Sequence, residues 1–388
     1  MNHQTQYAHP ALLIPFDELY AGLEACVAAG DVDRRTPSDG DDDSGLVLYN
    51  YNETCQFERR WNKYNWLARG LVLRPSEKEI VALCMPKFFN VTEPEAPSIH
   101  NGDEYEATTK LDGSCGIGFH DRGEWHVATR GSFSSDQAVW ATNYLRAHAG
   151  FMAYLDPDVT YITEIIYPEN RVVIKYDFAD LVLLTGYNRK TGHELDYVSE
   201  LVPLSHRIGC RVADRHFFSS LQELLAVAKA LPGTQEGFVL RLKGSGDRAK
   251  VKGDQYKIIH KMISQVTPLG IYELMLEGKP IEESKRLIPE EFYDDFDTIV
   301  RLLGEKVDRI IDGTNELVQS VAYMSDKEVG LAMSTFGEFG QYVFTARKKG
   351  QDALRLIALK AVRPTGNRLD GYHTSIAMNR VFTSSSEG

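Results

Sequence analysis

The sequence predicts an α+β protein: antiparallel sheets flanked by helices, followed by an all-α C-terminal domain. Three observations predict it. Short β-branched and aromatic runs crowd the chain from Gly45 to about Lys261. Asn, Asp, Gly or Pro sits between many of them, as turns require. Beyond Ile263, apolar residues recur instead at helical spacing.

Taken in order, the strand runs are LVLYNY (46–51), GLVLRP (70–75), IVALCM (80–85), CGIGFH (115–120), EWHVAT (124–129), YITEII (161–166), RVVIKY (171–176), LVLLTGY (181–187) and GFVLRL (237–242). Helical stretches interrupt them at SDQAVWATNYLRAH (135–148) and SLQELLAVAKAL (220–231), the latter led by serines suited to an N-cap. Past the last strand, Phe292, Phe296, Val300, Leu303, Val307 and Ile310 share one helical face, and Pro289 suits a first turn. Helical signals continue through VGLAMSTF (329–336) and QDALRLIALKAV (351–362). The composition shift places a boundary between Lys261 and Leu269, dividing the chain into residues 1–262 and 263–388. The terminal TSSSEG is expected to fray.

Bulk properties narrow the function. The 388 residues are 43% hydrophobic and 25% charged, and no apolar run approaches the roughly 20 residues that span a bilayer. The first twenty residues lack the basic start and apolar centre of a signal peptide, so a cytoplasmic protein with no membrane partner is expected. Five scattered cysteines without a C-x-x-C pair argue against a disulfide framework and a zinc site. Cys115 has no base to make it a nucleophile and reads as a small buried hydrophobe. The net charge of −12 excludes a protein that grips long duplex by charge alone. Any nucleic-acid site must be a local basic groove on an acidic body. In SDGDDDSG (38–45) the carboxylate spacing is wrong for a calcium loop and no glutamate closes it, so a solvated loop is expected.

The chemistry begins at TKLDGS (109–114), where Lys110 lies between predicted strands with Asp112 and Gly113 close behind. A K-x-D-G tetrapeptide by itself is common on β-turns. Other elements follow it in order. Glu164 is an acid inside the apolar strand YITEII, Glu236 opens the strand GFVLRL, and Lys250 and Lys252 alternate in AKVKGD. Residues two apart in a strand share a face, so both ammonium groups can meet one pocket. Together these are the signature of covalent nucleotidyltransferases. A lysine attacking the α-phosphorus of ATP must lose its proton, and its ordinary pKa is about 10.4. Neighbouring cations and a bound metal lower it. Negative charge grows on the α-phosphate, so cations must surround it. Carboxylates hold Mg²⁺, a hard cation that keeps several of its waters.

From about Leu46 to Lys261 the chain resembles the RNA ligase 1 family, whose prototype is the tRNA-repair ligase of T-even bacteriophages. The segments that carry the resemblance are LARGLVLRP (67–75), MPKFFNVTE (85–93), ATRGSFSSDQA (128–138), TEIIYPENRVVIKY (163–176), EGFVLRL (236–242) and KVKGDQY (250–256), with K-L-D-G itself. The resemblance implies a nucleotidyltransferase (ATP-grasp-like ligase) domain. It implies an ATP-dependent ligase that joins RNA 5′-phosphate and 3′-hydroxyl ends, tRNA among the candidate substrates, through lysyl-AMP and AMP-capped RNA. Lys110 would be the nucleophile. Asp112, Glu164 and Glu236 would coordinate Mg²⁺ (Mn²⁺ as the alternative), mostly through its waters. Lys250 and Lys252 would contact the α-phosphate. Arg69 and Lys87 would bind the β- and γ-phosphates, with Phe89 and Gly113 beside the nucleotide. Arg130, standing where the prototype has lysine, would support the nucleotide or the ligated ends.

Plainer readings stand beside these. Arg69 also reads as a rim arginine, Phe88 and Phe89 as core, and Tyr187 as a half-buried strand tyrosine. Asn170 and Arg171 also read as a turn between strands. A DNA ligase or capping guanylyltransferase would share the lysine chemistry, but both normally carry an OB-fold where this chain reads helical. A catalytically inactive RNA-binding relative is a further alternative. In the C-terminal region Arg347, Lys348, Lys349, Arg355, Lys360 and Arg363 read equally as an RNA grip and as a solvated helix face. The position of this domain suggests a part in RNA substrate choice.

Overall fold

The computed structural model describes residues 8–37, 44–100, 102–365, 368–375 and 378. The acidic run at Ser38–Asp43 and the terminal TSSSEG lie outside the described residues. The chain divides into two units between Ile258 and Ile259, inside the helix Asp254–Ser264.

The first unit is built on three sheets. The first contains β1 (Val32–Arg35), β2 (Val47–Tyr51), β3 (Arg69–Arg74) and β4 (Glu79–Ala82), antiparallel in that order. Two strands of another sheet come next in sequence, β5 (Phe89–Asn90) and β6 (Tyr105–Lys110). A second sheet contains β7 (Ser114–Asp121), β8 (Glu124–Thr129), β9 (Val159–Ile166) and β10 (Asp180–Asn188) in the order β10-β9-β7-β8. The third sheet adds β11 (Arg215–His216), β12 (Gly237–Leu242) and β13 (Arg248–Lys252) to β5 and β6, in the order β11-β6-β12-β13-β5. Only its β13–β5 pair is parallel. The two helices expected from the sequence occur as Asp136–Ala147, with Ser135 as N-cap, and Leu221–Ala230, with Ser220 as N-cap. None of the described helices is long and apolar enough to cross a membrane.

The third sheet is two-faced. Ala107, Phe238, Leu240 and Val251 point to one side and pack with Leu224, Ala228 and Leu231 of the helix Leu221–Ala230 and its end. By the two-residue period of a strand, Lys110, Lys250 and Lys252 belong to the other side. Apolar burial on the back thus fixes which residues reach the front.

Two sequence expectations need correction. Lys110 is the last residue of β6 rather than part of a loop between strands; YEATTK has only Ala107 buried, so it carries little apolar signal. RVVIKY, read as a strand, is irregular. Its apolar residues Val172, Val173 and Ile174 are buried, which explains the strand-like composition. Its amides go elsewhere: Val173 N and Ile174 N both donate to Asp112 Oδ2, at 2.8 and 2.7 Å. A side-chain carboxylate takes the place of a neighbouring strand.

The second unit is helical, with helices Pro268–Leu276, Ile281–Lys285, Tyr293–Ser320, Asp326–Ala332 and Val343–Ala361. The last is interrupted at Gly350, whose φ is 81°. Phe292, Phe296, Leu303 and Val307 are buried as the spacing predicts, whereas Ile299 is buried in place of the half-buried Val300, and Ile310 is half-buried. The run VGLAMSTF leaves the α-helix after Ala332 for a 3₁₀ turn, Met333–Thr335. In the basic cluster, Arg347 and Lys348 both face Asp326, and Arg355 faces Asp308.

Candidate active site

The front of the third sheet ends in a row of three residues. Register pairs Lys110 with Gly237 across β6–β12, and Gly237 with Lys252 across β12–β13. Gly237 has φ +150°, and a Cβ there would overlap the Val251 carbonyl, so only glycine lets β12 start this close to β13. The residue before it, Glu236, drops between the two lysines. Its Oε1 lies 2.8 Å from Lys110 Nζ and 3.2 Å from Lys252 Nζ. Glu236 is only 2% exposed, and its Oε2 is buried without a hydrogen-bond partner.

These charges set one another. Burial opposes ionisation of Glu236, but Lys110 and Lys252 outweigh it and hold the carboxyl below its usual range. Burial likewise opposes the Lys110 ammonium, but Glu236, Glu164 and Asp112 raise its pKa above the ordinary value. Neighbouring cations and a bound metal are what the sequence reading expects to lower this pKa; the protein's own three acids act in the opposite direction. Lys250, one strand-face step away, behaves oppositely. Burial and the ammonium groups of Lys252, Lys87 and Lys110 push it well below the lysine range. Its Nζ lies 5.8 Å from the centre of the Phe88 ring.

Asp112 and Gly113 leave β6 through a tightly bonded turn. Beside its bonds to Val173 and Ile174, the Asp112 carboxylate accepts from Tyr256 OH at 2.8 Å, and Asp112 N donates to Tyr176 OH at 2.9 Å. Burial, then Glu236, raises the Asp112 pKa despite those donors. Gly113 N donates to Glu164 Oε1 at 2.9 Å. A Cβ on Gly113 would lie 2.6 Å from Ile165 O, so glycine is what lets the turn rest on β9. Asn170 is buried, accepts from Ser114 Oγ at 3.1 Å and donates to Ile165 O at 2.7 Å. It is a staple on this turn as well as the end of a 3₁₀ turn, Pro168–Asn170.

A second group of cations gathers around Tyr51. Lys87 Nζ donates to Tyr51 OH at 3.3 Å and to Gln56 Oε1 at 3.2 Å, and Arg130 Nη1 donates to Tyr51 OH at 2.7 Å. Burial opposes ionisation of the Tyr51 hydroxyl, but Arg130, Lys87 and Arg69 together lower its pKa. Lys87 sits among the rings of Tyr51, Trp61 and Phe89, 4.8, 5.4 and 5.5 Å from their centres. Burial, with Arg69 and Arg130, lowers its pKa in turn. Arg69 is half-buried, with Nη1 3.4 Å from Cys84 Sγ and its guanidinium 5.3 Å from the Phe88 ring. Phe89 is buried, with Trp61 edge-on at 5.4 Å, while Phe88 is half-buried. The two groups meet through β13–β5, where Lys250 is in register with Asn90.

The fold therefore brings Lys110, Asp112, Gly113, Glu164, Glu236, Lys250 and Lys252 into one connected group. Arg69, Lys87, Phe89 and Arg130 form its neighbour. Tyr187 is fully buried rather than half-buried, edge-on to His9. Cys115 is buried, as expected of a packed thiol. Sequence reasoning missed Tyr51, Trp61, Tyr176 and Tyr256. Tyr51 ends the quoted run LVLYNY, Tyr176 ends TEIIYPENRVVIKY and Tyr256 ends KVKGDQY, but the partners of their hydroxyls are visible only in three dimensions. Among the described residues, no three His, Cys, Asp or Glu side chains converge as ready-made metal ligands. The orphaned Glu236 Oε2 is nevertheless an acceptor that fits a hydrated divalent cation. Asp112 fits one less directly, because protein donors take three of its roughly four lone-pair positions.

Comparison with known proteins sets this geometry in context. The chain is 29% identical over 261 residues to a protein of Autographa californica nuclear polyhedrosis virus named "Putative bifunctional polynucleotide kinase/RNA ligase". That match covers 60% of this chain and 36% of the viral protein, so the chain spans about a third of that relative's length. It is 22% identical to an RNA ligase of Rhodothermus phage RM378, covering 68% of this chain and 78% of that one. Among solved structures, an archaeal ATP-dependent RNA ligase aligns over 77% of this chain and 83% of its own, with 17% identity and a TM-score of 0.43. The family model described as RNA ligase matches residues 67–260. That stretch is half of the chain and holds every residue of both side-chain groups except Tyr51, Gln56 and Trp61, and on it this chain belongs to the RNA ligase family.

Proposed function

We propose that this protein is an ATP-dependent RNA ligase that seals 5′-phosphate and 3′-hydroxyl RNA ends through an adenylate on Lys110. The observation that carries the reading is the Lys110–Glu236–Lys252 row. A reactive amine and a phosphate-binding cation share one buried carboxylate at the ends of adjacent strands.

In the first step the free amine of Lys110 forms a bond to the α-phosphorus of ATP. The Pα–O bond to the β-phosphate breaks and pyrophosphate leaves. Lys252 and Lys250 face the charge that grows on the α-phosphate oxygens, and ATP phosphates would return Lys250 to its charged form. Arg69, Lys87 and Arg130 hold the β- and γ-phosphates and orient pyrophosphate for departure. In the second step an RNA 5′-phosphate oxygen attacks the same phosphorus, the N–P bond breaks, and AMP-capped RNA forms. In the third, a 3′-hydroxyl attacks the RNA phosphorus and AMP leaves. Positioning and fixed charge supply most of the rate.

Glu236 and Glu164 would hold the divalent cation, Mg²⁺ or Mn²⁺, with Asp112 acting through water. Bound there, the cation supplies positive charge that neutralises the acids holding the Lys110 proton. Asp112 ties the K-L-D-G turn to Val173, Ile174 and Tyr256, which fixes where Lys110 leaves the strand. Residues 1–262 would form the adenylyltransferase domain. Residues 263–388 would tune RNA choice, with broken tRNA as a substrate to be tested in RNA repair. In that domain Lys349, Lys360 and Arg363 are better placed to grip phosphate than Arg347 and Lys348, which share Asp326. The absence of disulfides among the five cysteines fits a cytoplasmic setting.

The test is labelling with α-³²P-ATP. The wild-type protein should retain AMP through denaturing electrophoresis, and Lys110→Ala should not, while keeping its circular dichroism spectrum. Persisting label in the variant, or label from GTP in preference to ATP, rejects the proposal.

A further inference from the structure

The segment 211–217 joins the second sheet to the third beside the strand that carries Lys110. Leu183 N donates to Arg211 O at 2.9 Å on β10, and Thr109 N donates to Asp214 O at 2.8 Å on β6. Arg215 then pairs in register with Thr108, two residues before Lys110. The segment carries two guanidinium groups, each set on an aromatic face. Arg211 lies 4.0 Å from the centre of the Phe178 ring, and Arg215 lies 5.0 Å from that of Phe217. Phe178 is in turn 5.3 Å from Tyr176, whose hydroxyl accepts from Asp112 N. A line of rings thus runs outward from the K-L-D-G turn.

One member of each pair faces solvent. Phe217, just past the outermost strand of its sheet, is 80% exposed and the Arg211 side chain is 54% exposed, whereas the Arg215 side chain keeps 17%. Each arginine meets one carboxylate at its edge, Asp180 for Arg211 and Glu106 for Arg215, both at 3.3 Å. For Arg211, the carboxylate and the Phe178 ring hold the guanidinium in place while the side chain stays exposed; Arg215 also has the Tyr197 ring at 5.8 Å and serves to seat Phe217. Bases of single-stranded RNA stack on such planes and on exposed aromatic rings. The six residue steps from Arg211 to Phe217 span at most about 20 Å, room for up to about six stacked bases at roughly 3.4 Å each.

We infer that Arg211 on Phe178, and Phe217 beside Arg215, form a stacking rail for the single-stranded RNA that leads to the end held at Lys110. This rests on the RNA ligase reading above and adds to it a surface for the RNA body. On a chain of net charge −12 the rail grips bases by stacking and does not depend on a broad basic field.

The test separates the rail from the ligase reading. Binding of a 5′-phosphorylated, fluorescein-labelled oligoadenylate is measured by fluorescence anisotropy for wild type, Phe217→Ala, Arg211→Gln and Arg211→Lys. Self-adenylation with ATP is measured in parallel without RNA. Phe217→Ala and Arg211→Gln should each weaken binding at least about fivefold, the low end for loss of one base stack. Arg211→Lys, which keeps the charge and loses the plane, should weaken it nearly as much. Self-adenylation should stay at the wild-type rate in all three. Affinities within twofold of wild type would overturn the rail, and full rescue by Arg211→Lys would overturn stacking as its basis. Failure of the wild-type protein to take AMP from ATP would instead defeat the ligase reading, while the anisotropy series still reports on the rail.

Discussion

Replacing Glu236 by Gln should destabilise the protein by about 3 kcal/mol and free the Lys110 proton at lower pH. The magnitude comes from the row at the strand ends. At an effective dielectric of about 20, a carboxylate attracts Lys110 at 2.8 Å by about 6 kcal/mol and Lys252 at 3.2 Å by about 5 kcal/mol. Desolvating the buried carboxylate offsets several kcal/mol of that sum, and removing one partner of a buried pair typically costs about 3–5 kcal/mol. The Lys110 and Lys252 side chains keep 22% and 15% exposure, so water recovers part of the loss and the low end applies. Urea unfolding at pH 7.5 of Glu236→Gln, Lys252→Met and the double variant gives the coupling directly. The double variant should be more stable than the sum of the single losses by at least about 1.5 kcal/mol, because Lys252→Met removes a charge that Glu236→Gln leaves stranded. Lys110 reactivity toward an acylating reagent, followed by peptide mass spectrometry against pH, should shift to lower pH in Glu236→Gln. Strict additivity refutes the argument that one carboxylate binds both lysines, and an unchanged acylation profile refutes its hold on the Lys110 proton.

Two further outcomes follow from other parts of the fold. Arg69→Ala and Lys87→Ala should slow self-adenylation far more than sealing of a pre-adenylated RNA, and equal losses in both assays would show that these cations do not act on the leaving pyrophosphate. His9 is buried with Nε2 bonded to Cys84 O at 2.8 Å, and burial lowers its pKa to about 4. Unfolded, it titrates near 6.5. The unfolded chain therefore binds more protons between those values, so this contribution is full above about pH 6.5 and is lost as pH falls toward 4. The gap corresponds to about 3 kcal/mol, and thermal melts from pH 7 to 4 should show a flatter decline in His9→Gln than in wild type. Parallel declines would remove His9 as the cause.

How much of this could be read from the sequence depends on what fixed each residue. Lys110, Glu236 and Lys252 were legible because strand alternation and a fixed order leave little freedom once a sheet forms. RVVIKY was misread because burial, not pairing, explains its apolar residues; nothing in its composition reveals that Asp112 has taken its amides. The acids that raise the Lys110 pKa were less legible for a related reason: order along the chain does not say which carboxylates stand nearest in space. Tyr51 and Tyr256 were invisible because an isolated tyrosine in a strand or early in a helix carries no mark of the partner its hydroxyl will find. Ile299 replaced Val300 in the core because successive residues lie about 100° apart around a helix, and a short apolar list does not choose between them.

The back of the third sheet has a consequence for its front. Ala107, Phe238, Leu240 and Val251 seat the strands against a helix, and side chains along a regular strand alternate between its two faces. Sliding any one of β6, β12 or β13 by a single residue would bury its polar members under that helix and turn its greasy ones toward the nucleotide. Lys110 therefore owes its aim to residues on the opposite face of the sheet. Damage to that hidden packing would surface first as a chemical defect, before the molecule as a whole came apart.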